Sequence, residues 1–301
     1  MTRSITILLL VFAFLSTTSF VNAQSADFSK VDSLMALHQY EDASLECEYI
    51  LYQQPGNPAL MAECLLKKTD CLKATGKHAE VPVLLSRLDG FSGSDSLKSR
   101  IYFQKALGYY MSDKFELAEK SILPLFNLQE VEEETEVTGA LLYAMALGES
   151  GKWMEAKLFL TNFIQSNPRT DAALKTELTE QVNMVYDKEN IPKLRSIKKA
   201  KTLSLLFPGL GQAYNGNFGK GFVSLLLVSG SGAWVGWNIF NTTYITAATA
   251  GVYIFLYFYF GGANQSSWLV PVKNHKKKTE YNHQVRTELS RVSLQLLQQK
   301  Q

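Results

Sequence analysis

Side chains able to do covalent or metal chemistry are few in this 301-residue chain, and their spacing limits what they can do. The four histidines, His38, His78, His275 and His283, are scattered, with no His-Glu-x-x-His helix signature and no Cys-x-x-Cys pair to chelate zinc. No nucleophile elbow or phosphate loop occurs, and Gly209-Leu210-Gly211 lacks the preceding strand that a dinucleotide fingerprint needs. The acidic stretch over residues 130–136 reads as a solvated helix start, where the macrodipole favours negative charge, ahead of a metal site. The chain is therefore expected not to be an enzyme and to need no metal or cofactor. What remains is polar chemistry in an apolar setting, at Gln212, Tyr214 and Asn215. Inside a membrane such groups either satisfy irregular backbone or hold a ligand or ion, and the sequence leaves both open.

The elements that must position these residues divide by composition. Hydrophobic residues make up 46% of the whole and charged residues 19%. Residues 24–194 are mixed and charged, whereas residues 202–272 carry one charged side chain, Lys220, and no acid. A net charge of +2 is too small to argue for nucleic acid.

Residues 1–23 combine Arg3, an apolar run over residues 5–14 and small residues at Val21 and Ala23, the three parts of a secretory signal with cleavage after Ala23. An uncleaved anchor would export the following chain as well. Three cysteines, Cys47, Cys64 and Cys71, do not make a disulfide framework. Cys64 and Cys71 lie about 10 Å apart along one helix, too far to bridge. Cys47 is within reach of either from a neighbouring helix, but a role as small buried hydrophobes fits all three better.

The strongest internal signal is a turn followed by an aromatic residue or His, two variable residues and a small one. It occurs as Tyr40-Glu41-Asp42-Ala43, His78-Ala79-Glu80-Val81, Phe115-Glu116-Leu117-Ala118 and Trp153-Met154-Glu155-Ala156, with the last residues 38, 37 and 38 apart. Gly76 and Gly151 stand where a helix C-cap needs a positive φ. Small pairs such as Ala106 with Ala118 and Ala144 with Ala156 let two helices approach, while Phe115 or Trp153 fills the space beneath the turn.

These blocks resemble tetratricopeptide repeats, although their period exceeds the usual 34 or so residues. The resemblance covers a little more than half of the chain and is weaker in the first two copies, where Val31, Thr69 and Val81 occupy small-residue columns. It implies a helical solenoid over residues 24–191, with four helix pairs and a closing helix carrying Leu174, Leu178, Val182 and Val185. It also implies that the first helix of each pair lines a groove for a protein or peptide. That column-by-column transfer selects Leu66, Asp70 and Lys73, then Phe103, Leu107 and Tyr110, then Leu141 and Met145. Phe103 and Tyr110 are either the aromatic anchors of that surface or packing residues.

Beyond Pro192, Lys193, Arg195, Lys198, Lys199 and Lys201 form a basic collar at the start of a membrane domain expected over residues 192–274. Residues 221–240 and 242–262 are each uncharged and long enough to cross a core of about 30 Å as helices, with a turn at Asn241. Two buried helices of a soluble protein would fit the same lengths. Flanking Lys clusters and the aromatics Trp234, Trp237, Tyr257, Tyr259 and Trp268 favour a bilayer. Gly232 with Gly236, and Ala247 with Gly251, offer small-residue stripes for the hairpin's own seam or for a second copy of the chain.

The segment Phe207-Pro208-Gly209-Leu210-Gly211-Gln212-Ala213-Tyr214-Asn215-Gly216 resembles an element of a bacterial membrane domain family of unknown function, itself similar to the two-transmembrane domain family. The resemblance covers about residues 199–274 and implies no activity. Its motif residues Pro208, Gly209, Gly211, Gln212, Tyr214, Asn215 and Gly216 predict a re-entrant or interfacial segment over residues 202–216, shielded by protein. Two crossings leave both the collar and Lys273, Lys276, Lys277 and Lys278 on the exported side, against the tendency of Lys and Arg to stay cytoplasmic; a third crossing would bring the second cluster inside. A separate amphipathic helix over residues 275–301 places Tyr281, Val285, Leu289, Val292 and Leu296 on one face, to pack on the repeats, on another copy or on the bilayer.

The sequence thus predicts an all-α protein, a tetratricopeptide-like solenoid followed by a transmembrane hairpin with a re-entrant or interfacial segment. The expected place is the bacterial cell envelope, in the inner membrane with the repeats periplasmic. The expected role is a scaffold that binds another protein and the bilayer. The competing expectation gives the membrane domain a lipid or small solute and makes the repeats regulatory.

Overall fold

The computed structural model describes residues 27–298, so the signal segment expected over residues 1–23 lies outside the described residues. These are all-helical, with no strand among them. The first part comprises α1 (Ser29–Ala36), α2 (Tyr40–Gln53), α3 (Pro58–Ala74), α4 (Val81–Leu85), α5 (Asp95–Met111), α6 (Phe115–Ile122), α7 (Glu133–Ser150), α8 (Trp153–Ser166) and α9 (Ala172–Val185).

One local device repeats through this part. Each of α1, α3, α5 and α7 ends on a residue of positive φ, His38 (59°), Gly76 (73°), Asp113 (59°) and Gly151 (81°). The next residue's N–H reaches back to the carbonyl five positions earlier: Gln39 to Leu34, Lys77 to Leu72, Lys114 to Tyr109 and Lys152 to Leu147, at 2.8 to 3.0 Å. This Schellman closure satisfies the last carbonyls and fixes the direction of the returning helix. The return starts at Tyr40, His78, Phe115 or Trp153, and Ala43, Val81, Ala118 and Ala156 are buried at the helix contact. In the second pair Pro82 leaves a short α4 between two 3₁₀ turns, and in the third Pro124 converts the end of α6 into 3₁₀ helix. Successive first helices touch, α3 with α5 and α5 with α7. The acidic residues Glu133, Glu134 and Glu136 occupy the first turn of α7, as the macrodipole favours. Cys47, Cys64 and Cys71 are free and buried in the α1–α3 core, where Cys64 and burial together push the Cys47 thiol pKa upward.

The second part comprises α10 (Ile197–Leu206), α11 (Leu210–Tyr214), α12 (Phe218–Phe240), α13 (Tyr244–Thr246) and α14 (Val252–Gln298), with a π turn at Ala247–Gly251 leading into α14. Two helices are long and apolar enough to cross a membrane, Phe218–Phe240 and the helical run starting at Tyr244. Only 11% of the apolar window of each is buried. At 1.5 Å per residue the ten residues of α10 reach about 15 Å, half a hydrocarbon core.

The sequence predicts a span ending near residue 262 and a separate helix from residue 275. The structure replaces both with α14, which is continuous over 47 residues and carries Pro271 inside. The proline removes only the hydrogen bond that the Ser267 carbonyl would accept, and the neighbouring turns on both sides carry the helix through. Tyr281, Val285, Leu289, Val292 and Leu296 do share one face, and that face joins the core formed by α7, α8 and α9, against Leu147, Trp153, Leu178 and Val182. Trp153 and Tyr281 meet edge to face at 5.4 Å.

Polar contacts fix the register of this junction. The Trp153 indole N–H donates to Asn282 Oδ1 at 2.9 Å, while Asn282 Nδ2 donates to the Gly148 carbonyl at 3.2 Å and to Glu149 Oε2 at 2.8 Å. Arg286 pairs with Glu149, and the Tyr281 hydroxyl donates to the Val185 carbonyl at 2.9 Å. Asn282 is buried, so Asn282→Leu strands an indole donor and a helix-end carbonyl. A loss of about 2–3 kcal/mol is expected, read as a lower thermal midpoint and altered Trp emission. An unchanged midpoint would show that the junction does not depend on this residue.

Burial pushes the Tyr281 hydroxyl up to about 12 and raises that of Tyr186, both on this interface. Each phenol keeps its proton in the folded chain at a pH where the unfolded chain, titrating near 10, has lost it. The contribution is therefore complete below pH ~10 and is lost as pH climbs toward the folded values. Denaturation midpoints should fall through this alkaline window, and Tyr186→Phe should flatten the fall. A wild-type profile level up to pH ~12 would contradict the burial of both hydroxyls.

Candidate functional site

The predicted groove residues do not share one open surface. Leu66 is 2% exposed and packs with Leu85 and Ile101, because α3 is enclosed between α4 and α5. Leu141 is 8% exposed within the core that α14 completes, and Met145 packs on its margin. Tyr110 lies under Arg286 of α14, 6.0 Å from ring centroid to guanidinium, and makes an edge contact with Phe115 at 5.5 Å. These four belong to packing or lie under the chain's own C-terminal helix, which the sequence left without a destination. Asp70 and Lys73 stay partly exposed, as do Phe103 and Leu107, which with Tyr110 and Met145 pack at the edge of the Ala106–Ile122–Leu142 core. Lys73 links α3 to α5 by donating to Gln104 Oε1 at 2.9 Å, and it pairs with Asp70 at 2.7 Å.

The motif over residues 207–216 does come together, as a knot of backbone and carboxamide contacts among α10, α11, α12 and α14. Gly209 turns the chain at φ +93° after Pro208, and a Cβ there would lie 2.2 Å from the Gly221 carbonyl oxygen. At Gly211 a Cβ would lie 2.1 Å from the Ala200 carbonyl oxygen and 2.8 Å from Ser266 Cβ. Both glycines are therefore required by close approach, one of them also by conformation. Gln212 is fully buried: its oxygen accepts from Ser204 Oγ at 3.0 Å and its nitrogen donates to the Gly262 carbonyl at 2.8 Å. Asn215 Nδ2 donates to the Ser266 carbonyl at 2.8 Å. The Tyr214 hydroxyl accepts from the Ser196 N–H at 3.3 Å, with Arg195 over its ring at 5.8 Å, and Gly216 (φ 73°) lies beside Arg195.

Other members of this knot carried no motif signal. Ser204 Oγ also accepts from the Gly211 N–H at 3.1 Å. Ser266 Oγ donates to the Ala200 carbonyl at 3.2 Å, and the Tyr259 hydroxyl donates to that of Leu205. Asn274 pairs with Arg195 in both directions at 2.8 Å, tying the start of the second part to α14. Only the alternation of small polar residues within apolar helices could have pointed to Ser204, Ser224 and Ser266.

The buried side of α10, α11 and the hairpin mixes small polar residues with Val228, Ala247, Ala263 and Val270, and the outer side is apolar. Ser204, Gln212, Asn215, Ser224, Ser231 and Ser266 are buried, while Phe222, Leu226, Trp237, Tyr253 and Tyr257 are exposed. Of the expected seam glycines, Gly251 packs on Val235, where a Cβ would approach to 2.9 Å, and Gly232 faces Phe255. Gly236 meets nothing within 4 Å and lies off the seam. The chain matches no protein-family model, no curated protein and no solved structure.

Proposed function

We propose that the protein is a membrane-anchored scaffold of the bacterial cell envelope, whose helical repeats hold another protein while the hairpin sits in the inner membrane. In this reading the four Schellman-linked helix pairs and α9 form a tetratricopeptide-like solenoid, and residues 202–216 form an interfacial plug on the hairpin. The observation that carries it is α14, which presents apolar side chains outward in its first half and completes the repeat core with its second. One helix therefore ties the repeats to the bilayer without a flexible linker.

The predicted export signal puts the repeats on the periplasmic side. The basic collar goes with them, because α10 is too short to take it across and Asn274 holds it to α14. Charge bias governs short loops, whereas a long exported domain translocates largely regardless of it. Since Arg286 of α14 lies over Tyr110 and Leu141 is buried, the docking region is assigned to Asp70, Lys73, Phe103 and Leu107. A photo-crosslinking side chain at Asp70 should give a discrete adduct in intact cells, while one at the exposed Leu158 should not. Equal adducts at both positions, or none at Asp70, would remove the groove from the account. The competing reading, in which the membrane part takes a lipid, is favoured by one observation, an open groove between the two spans.

A further inference from the structure

Two adjoining clefts lie along the outer side of the α12–α14 contact. At the base of the hairpin Lys220, Ser224 and Gln265 border a cleft of about 380 Å³. A second, nearly apolar cleft of about 290 Å³ continues toward the hairpin tip between Leu226, Trp234 and Ile254, and Leu227 and Phe258 line both. From Lys220 to Trp234 the helix rises about 21 Å, the depth of one leaflet.

Three glycines shape this groove. Gly219 and Gly261 border the basal cleft and Gly230 the apolar one, and a Cβ at any of them would meet nothing within 4 Å. None has a positive φ. Neither packing nor backbone conformation requires glycine there, and glycine inside a helix is less stable than alanine. Their shared effect is to keep the groove wide.

The charge at its base has one sign. Between Glu189 and Glu280 there is no carboxylate, while ten Lys and Arg occur, and Lys220 is the single charged residue within the apolar part. Lys220 is exposed and joins no ion pair among the described residues.

We infer that this groove holds one phospholipid with an anionic headgroup. The headgroup phosphate lies against Lys220 and the Gln265 carboxamide, and an acyl chain follows Leu227 and Phe258 toward Trp234. A leaflet lipid has the length, the polarity gradient and the charge that the groove complements. The inference deepens the lipid reading above and rests on the membrane placement of the hairpin.

The full chain, reconstituted in vesicles of equal phosphatidylglycerol and phosphatidylcholine, tests it. After mild detergent extraction, native mass spectrometry should find one retained lipid per chain, enriched about fivefold in phosphatidylglycerol, the factor one surface Lys contributes. Lys220→Gln should return the retained lipid to the bulk ratio. Gly230→Leu with Gly261→Leu should fill the groove and cut retention severalfold, with the thermal midpoint unchanged. Retention by wild type in the bulk ratio, or enrichment that survives Lys220→Gln, overturns the inference and leaves the membrane anchor standing. A chain that does not float with vesicles overturns the anchor itself, and this inference with it.

Discussion

A chain ending at Lys278 should lose the cooperative unfolding of its repeats, although every residue of α1 to α9 is retained. Tyr281, Val285, Leu289, Val292 and Leu296 are each no more than 6% exposed, and removing them uncovers Leu178, Val182 and Tyr186, which are fully buried in the intact chain. Burial of one large apolar side chain contributes about 1.5–3 kcal/mol, so five amount to roughly 7–15 kcal/mol, an upper estimate. A domain's whole stability is about 5–15 kcal/mol. The thermal transition of the truncated chain in detergent is expected to vanish or to drop by more than about 10 °C. Leu289→Asp should act in the same direction by placing a carboxylate in that core, whereas Leu294→Asp, on the exposed face of the same helix, should leave the transition where it is. A truncated chain that melts like the full one would show that the repeats close without α14.

Gly209→Ala and Gly211→Ala should each prevent assembly of the membrane part. At Gly209 the new methyl meets the Gly221 carbonyl oxygen, and at Gly211 it meets that of Ala200. Backbone atoms have no rotamer to change, so α11 must move off α10 or α12 and break the Ser204–Gln212–Gly262 chain of hydrogen bonds. Overpacking, left-handed strain at Gly209 and buried carboxamide groups left unpaired together exceed about 3 kcal/mol. Size-exclusion profiles of detergent extracts should show at least a tenfold drop in monodisperse protein by that estimate. Gly219→Ala and Gly261→Ala, which meet open space, should match wild type. Equal yields from all four variants would mean that the motif is not the knot of this domain.

What the sequence made legible follows from how local each determinant is. The helix pairs could be read because the turn, the aromatic residue and the small residue lie within a few positions of one another. Gly76 and Gly151 announce their positive φ by type, whereas His38 and Asp113 adopt the same conformation without glycine and gave no signal. The amphipathic face from Tyr281 to Leu296 was legible, but its covering was not, since an apolar stripe reads alike against repeats, a second copy or lipid. The groove columns carried over from the repeat resemblance ignored that covering, and so included Tyr110, which lies under Arg286. For Gln212 the two roles were indistinguishable in sequence because its acceptor, the Gly262 carbonyl, lies fifty residues away. Both of its polar atoms are committed to the protein, which supports the backbone-satisfying role over a ligand or ion.

Single cysteines placed at Lys120 on the repeats, Lys276 at the hairpin base and Asn241 at its tip test the arrangement most directly, because Cys47, Cys64 and Cys71 are buried and give little background. In spheroplasts stripped of the outer membrane, a membrane-impermeant maleimide should label positions 120 and 276 at once and position 241 only after permeabilisation. Labelling of position 241 before permeabilisation would contradict the exported, two-crossing anchor.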